Sequence, residues 1–542
     1  VAIGYRSLYT MSRSTTADTY NVGCGNESLY SLTTGAYNTG IGGKALYTMT
    51  TGDGNTAVGY NSAKEITTGH SNTAVGGYAL DAATTAHYNT ALGFNAISKI
   101  TTTGHCTAVG NHSQFENLSA ARSTSLGSQS LYNITTGDDN VAVGYNALST
   151  NATGASNTAV GSYALNANTA SNNTAVGYYA LYNNTTGDRN VAVGNYALDA
   201  VTTGEQNTAV GYNALTSNTS NFNTAIGEGS LSANTTGNRN TALGNNSGSA
   251  LTTGSLNVII GDSAASALTT TDENTIVGQE AFKTATDSSG SNTVVGYRAA
   301  ALNTSGGQTV AVGHYAAYTN TGVAGHIAIG KNAMYTSNGA SQTNVAIGLY
   351  AMHSATTAGD CIAIGERALD DLTTGVGNIG IGRYVGGDIT TGTANVCIGS
   401  YDATVQPAGR VITTGSKNVC IGSGALSANT TGSSNVAVGY GALKSQTTSS
   451  NTTAIGYQAG EDITTTNNTT LIGSGAGKNI TTGNGHTIIG CDAGGGITDS
   501  EGNVLIGQLA GNYNVSLTGG SNVYIGLNVR GSAADNDYEL VF

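Results

Sequence analysis

Residues 140–154 read NVAVGYNALSTNATG, and the Asn that opens the stretch returns at Asn157. The stretch divides into a β-branched run (Val141 to Val143), Gly144, a Tyr-Asn corner, an Ala147-Leu148 pair and a Thr-containing turn closed by Gly154. Its pentad, Asn-Thr-Ala-Val-Gly or a close variant, recurs from one end of the chain to the other. The Asn falls at Asn38, Asn55, Asn72 and Asn89, then at Asn140, Asn157, Asn173, Asn190, Asn207, Asn223, Asn240, Asn257 and Asn274, a spacing of 16 or 17 residues. Cys106 and Ser123 keep the phase between Asn89 and Asn140, and Asn292, Asn344, Asn378, Asn395, Asn418, Asn435, Asn503 and Asn522 continue it. Frequent Gly leaves no 3.6-residue apolar stripe, which disfavours helix. A unit this short cannot bury a face alone, so successive units are expected to stack, each strand pairing with its counterparts above and below. The expected fold is all-β: a parallel β-solenoid, or β-roll, of about thirty coils of 16–17 residues. Each coil is expected to carry two short strand-like segments and two turns. At ~4.8 Å per coil, about thirty coils make a rod roughly 140 to 150 Å long.

Composition agrees with a repeat more than with packed globular domains. The 542 residues include 79 Gly, one Pro, no Trp and five Phe, and only 9% are charged. Large aromatic cores are therefore not what holds the chain together. Eighteen basic against 31 acidic residues give a formal charge of −13 without any Lys/Arg run, which removes nucleic acid as the main partner. No apolar run reaches the ~18 residues needed to span a bilayer, so membrane insertion is not expected. The sequence opens at Val1 inside a repeat, without an initiator Met or signal peptide, so the true N-terminus is expected to lie upstream.

Breaks in the spacing suggest a division into an irregular N-terminal coil (1–20), regular coils (21–399), a side insertion around Pro407 (400–417), regular coils again (418–528) and a C-terminal transition segment (529–542). The insertion is the best candidate for a surface feature distinct from the repeat, because extra residues in a solenoid become loops on its side.

Alternation along the pentad suggests how the coils assemble. The second and fourth positions, such as Thr158 and Val160, are expected to face the coil interior. The third position then points outward, yet it is small and apolar at Ala142, Ala159, Ala175, Ala209 and Ala225, with Cys397 and Cys420 in the same phase. A small apolar column on an outer face calls for close approach of another chain. A parallel homotrimer is the expected assembly, with this column as its interface.

The motifs NTAVG, NVAVG and VAIG, each followed by a small-residue segment, resemble the head repeats of trimeric autotransporter adhesins. The longer YNAL…TTG unit is similar to repeats in phage tail fibres and surface fibres. The resemblance covers essentially the whole chain. It implies a three-chain β-roll rod in an extracellular location, on a cell surface or virion.

The remaining motifs have structural readings that compete with functional ones. Asn140, Asn157, Asn173, Asn190 and Asn207 are expected to form a hydrogen-bonded amide ladder, and Gly144, Gly161 and Gly177 to mark a corner that needs positive φ or close chain approach. Thr-Thr-Gly turns, as at Thr67-Thr68-Gly69 and Thr252-Thr253-Gly254, stack into a hydroxyl column whose alternative use is ice binding. Tyr60, Tyr145, Tyr178, Tyr212, Tyr297, Tyr440 and Tyr457 form a corner ladder of rings that could also meet sugars. Sequons at Asn151, Asn184, Asn234 and Asn429 are candidate glycosylation sites. Asp53, Asp138, Asp139 and Asp188 do not repeat coil after coil, which argues for solvated turns over calcium ligands. No catalytic constellation, no metal site and no cofactor is expected. The function expected is a structural fibre, acting as a rigid spacer whose partners are its own copies, in a homotrimer or an end-to-end filament, together with a cell-surface glycan or receptor.

Overall fold

A computed structural model describes residues 1–11, 19–286, 290–304, 306–321, 324–337, 343–401, 403–512, 518–532 and 536–542. Residues 12–18 of the expected N-terminal coil, Asp402 of the side insertion and residues 533–535 of the C-terminal segment lie outside these. The chain forms two units, Val1–Thr270 and Thr271–Phe542. Both are parallel β-solenoids, together about thirty coils, and among the described residues every regular element is a strand.

Each typical coil contributes one three-residue strand, such as Val141–Val143, Thr158–Val160 and Thr174–Val176 in the first unit and Val419–Ile421 and Val436–Val438 in the second. Strands pair in register, so like lies on like: Ala142 opposes Ala159, which opposes Ala175. Backbone bonds run from coil to coil, with Val141 N–H donating to the Asn157 carbonyl (2.8 Å) and Gly161 N–H to the Val143 carbonyl (2.7 Å).

The second strand-like segment expected in each coil is found, among the described residues, only at Thr319–Asn320 and Thr336–Ser337, which pair in parallel. Asn146 and Leu148 take φ of 54° and 50°, and the same two positions are left-handed in coil after coil. In a strand, neighbouring side chains point to opposite faces. Here Ala147 and Leu148 are both fully buried, and the left-handed residues are what turns two consecutive side chains inward. The coil-to-coil ladder survives nonetheless, since Leu148 N–H donates to the Ala164 carbonyl (3.0 Å) and Thr150 N–H to that of Asn166 (3.2 Å). On the third side every third residue is buried: Asn151, Gly154 and Asn157.

This arrangement reverses the two faces of the strand relative to the sequence expectation. Ala142, Ala159, Ala175, Ala209, Ala225, Cys397 and Cys420 are all fully buried inside their own coil. The second and fourth positions point out instead: Val141 is 36% exposed and Val176 37%. Where Leu148 or its equivalent fills the narrow interior the strand residue opposite is mostly small, and where that place is Gly, as at Gly477, Gly494 and Gly511, the buried Leu471, Ile488 and Leu505 fill it instead. The Ala/Cys column is therefore core and cannot be an interface between chains.

The insertion is also shorter than expected. Asn395 and Asn418 are 23 residues apart, six more than the usual 17, but the coil has resumed by Ala408. Ala408 is fully buried and its carbonyl accepts the Gly386 N–H (3.1 Å), and Ile412 is buried where Asn151 sits in its own coil. The extra residues fall at the corner between Gly399 and Ala408.

Candidate functional site

In each unit the outward face of the strands carries exposed apolar side chains that the coils do not use internally. In the first unit the fourth pentad position gives a column that includes Leu92, Leu126, Val176, Val193, Ile226 and Leu243, with Leu126 49% exposed. In the second unit Ile329, Ile364, Ile455 and Ile472 hold the same place. Beside it runs the second position, mostly Thr in the first unit and mostly Val or Ile in the second. Isolated apolar side chains on a surface are ordinary, but a contiguous apolar stripe marks an interaction site.

The amide ladder is internal. Asn157 N–H donates to Asn140 Oδ1 (3.0 Å), and Asn173, Asn190 and Asn207 repeat the bond one coil further on, each at 2.9 Å. Each Nδ2 has its own acceptor, as in Asn140 to the Gly154 carbonyl (2.9 Å) and Asn190 to that of Gly204 (2.8 Å). Gly144, Gly161 and Gly177 have φ of 134°, 136° and 140°, a region open only to Gly. A Cβ built at Gly144 would lie 2.6 Å from the carbonyl of Gly161.

Asn151, Asn184, Asn234 and Asn429 are fully buried. Asn151 Nδ2 donates to the Gly154 carbonyl (2.8 Å) while its Oδ1 accepts the Gly154 N–H (2.9 Å), which closes the turn from inside. Asn184, Asn234 and Asn429 make the same Nδ2 bond to the Gly three residues on. The folded coil thus gives a sugar-transferring enzyme no access to these amides, and the four sequons are structural.

The turn threonines form a ladder as well. Thr67 Oγ1 donates to the Thr84 carbonyl (3.2 Å) and Thr252 Oγ1 to that of Thr269 (2.9 Å). Their hydroxyl protons are committed to the next coil, which leaves only the oxygen lone pairs to meet an ice surface. Rings pair along the corner, as in Tyr145 with Tyr163 (centroids 5.4 Å) and Tyr440 with Tyr457 (5.5 Å).

Sequence reasoning missed one further ladder. Asp53 Oδ1 accepts the Ala36 N–H (2.7 Å) and Asp138 Oδ1 that of Ala121 (2.8 Å), and Ser433, Ser450 and Asn467 side chains accept in the same way in the second unit. The position needs only a short acceptor, so its identity varies, and a search for repeated residues passes over it. Asp138 and Asp139 also pair with Arg122, which holds the Asp139 carboxyl below its usual range. Among the described residues no group of three or more His, Cys, Asp or Glu could hold a metal ion, and no helix is long and apolar enough to cross a membrane.

Cys397 and Cys420 are free thiols opposite each other on paired strands, and the hydrogen bond between the two thiols together with burial pushes the Cys420 thiol well up. At the corner insertion, Tyr401, Ala403, Thr404, Val405 and Gln406 line a small cleft. No protein-family model and no curated protein sequence matches this chain.

Proposed function

We propose that the chain is the shaft of a homotrimeric extracellular fibre, on a cell surface or virion, in which the outward strand faces of three parallel copies pack on one axis. The observation that supports this is the exposed Val/Ile/Leu column described above. Each face is only three residues wide, narrow enough for three chains to converge on it, and in-register pairing keeps the apolar side chains in line from coil to coil. Covering the column removes apolar surface from water at ~25 cal/mol per Å². The function is mechanical: the hydrogen-bonded ladders resist bending, and the assembly holds a terminal or lateral binding element away from its base.

Native mass in solution is the test. Three chains per particle, with cross-links between equivalent outward positions, is the expected result. A single-chain particle at the same concentration would overturn the reading.

A second reading has one observation in its favour: the outward strand face sets a Thr hydroxyl column beside a column of methyl-bearing side chains, as in Thr158 and Val160. Such a face, left uncovered, could order water and bind ice. Strong thermal hysteresis from a single-chain particle would favour it over the fibre.

A further inference from the structure

We propose that the corner insertion of the second unit is a saccharide site that takes one neutral hexose unit of a glycan. It goes beyond the fibre reading, which it uses only for its setting, and it does not depend on which face joins the chains.

The insertion is anchored to the coil beneath it. Val405 is buried against Gly424, where an added Cβ would lie 2.5 Å from Val405 Cγ1, and Gly424 N–H donates to the Gln406 carbonyl (2.9 Å). The loop therefore approaches the next coil at a position that carries no side chain. Its outer residues form a cleft of about 140 Å³ lined by Tyr401, Ala403, Thr404, Val405 and Gln406. That is well below the ~300–1,000 Å³ that encloses a drug-sized ligand, and it suits a single sugar ring.

Tyr401 supplies the platform. Its ring is 47% exposed, and its orientation is set by Arg383, whose guanidinium carbon lies 4.8 Å from the Tyr401 centroid and 5.0 Å from that of Tyr384. Arg383 is itself held by Glu366 (Nε to Oε2, 3.0 Å). A tyrosine fixed in this way loses little rotamer freedom on binding. Its face meets the C–H side of a sugar ring, while the Thr404 hydroxyl and Gln406 amide lie within the same cleft to meet sugar hydroxyls.

Charge selects among sugars. Two arginines flank the insertion, and each has a carboxylate partner: Arg383 with Glu366 and Arg410 with Asp388. The lining residues Tyr401, Ala403, Thr404, Val405 and Gln406 carry no charge, so an anionic sugar gains no ion pair from them. A neutral one needs none.

The test is binding of the full chain to an array of immobilised neutral and acidic oligosaccharides, followed by titration with the best neutral binder. Tyr401→Ala is expected to weaken binding about tenfold or more, and Tyr401→Phe, which keeps the platform, to leave it within about threefold. Circular dichroism and native mass of both variants should match the parent, since the ring lies outside the coil interior. Retention of no neutral glycan, retention of acidic glycans alone, or equal binding by Tyr401→Ala would each overturn the proposal. The mass measurement reports on the fibre reading separately, so either can fail without the other.

Discussion

His326 Nδ1 accepts the backbone N–H of Asn344, 3.2 Å away and one coil further along. His326 stands in the ladder between Thr309 of the preceding coil and Asn344 of the next, and His486, between Thr469 and Asn503, accepts the Asn503 N–H in the same way (3.3 Å). Both rings are buried, and both pKa values are lowered by burial, His326 to about 4. A proton on Nδ1 would end the bond and bury a charge.

Acid should therefore loosen the second unit at these two coils. The unfolded chain takes up protons on His near pH ~6.5, whereas the folded His326 does so only near 4. Stability from the neutral ring is fully present above pH ~6.5 and is lost as pH falls toward 4, up to about 3 kcal/mol for His326. Hydrogen exchange at pH 7 and pH 4.5, corrected for intrinsic rate, should show increased opening in peptides containing His326 and His486. His326→Asn should remove the effect at the first coil. Equal protection at both pH values in the parent chain would contradict this account.

Removing one rung of the ladder should cost more than its one lost side chain suggests. Asn190 Oδ1 accepts the Asn207 N–H and its Nδ2 donates to the Gly204 carbonyl. Asn190→Ala leaves two buried backbone groups without these partners, at about 1–3 kcal/mol each. Exchange should rise in the coils on both sides of residue 190 and stay unchanged several coils away, because each coil contacts only its neighbours.

The period, the ladder and the Gly corner were legible in the sequence because each rests on one residue type that recurs in most coils. Asn supplies both an acceptor and a donor to the ladder, although Ser123, His326 and Cys361 replace it as acceptor in single coils, and a φ near 134° at Gly144 needs Gly. The direction of the strand face was misassigned because Val is more apolar than Ala, and hydrophobicity alone sends it inward. A signal was present: Asn140 and Ala142 are two residues apart and share a face, so an internal ladder fixes Ala as internal. The Ala147-Leu148 pair was read as strand because nothing in those two residues announces a left-handed backbone. The 23-residue spacing disclosed the insertion, but its cleft depends on Val405 meeting Gly424, a contact between coils that spacing cannot reveal.

Two glycines with positive φ should respond in opposite ways to a side chain. Gly144→Ala forces Cβ to 2.6 Å from the Gly161 carbonyl at a φ of 134°, and should destabilise the local coils by about 3 kcal/mol or more. Gly54 has φ 65°, with nothing nearer than 3.9 Å to an added Cβ, and Ser156 occupies the equivalent place with φ 60°. Gly54→Ser should change stability by less than about 1 kcal/mol. Denaturant titrations of the two variants against the parent separate the outcomes, and equal destabilisation would show that the close approach at Gly144 is not what the residue is for.

The two faces of one strand give the sharpest test of the assembly. Val193 and Ile226 point outward, 37% and 39% exposed, whereas Ala209, between them in the stack, is fully buried. Val193→Lys or Ile226→Lys leaves the coil interior untouched, so each variant should keep its circular dichroism. In the proposed trimer, however, three like charges would meet at the axis without partners, and desolvating each costs several kcal/mol. These variants should run as single chains where the parent runs as three. Ala209→Leu should do the reverse, overfilling the coil and lowering its stability by about 1–3 kcal/mol while leaving the outer face unchanged. A three-chain mass in both Lys variants would remove the outward strand face as the interface, and loss of folding in them would mean that Val193 and Ile226 support the coil itself.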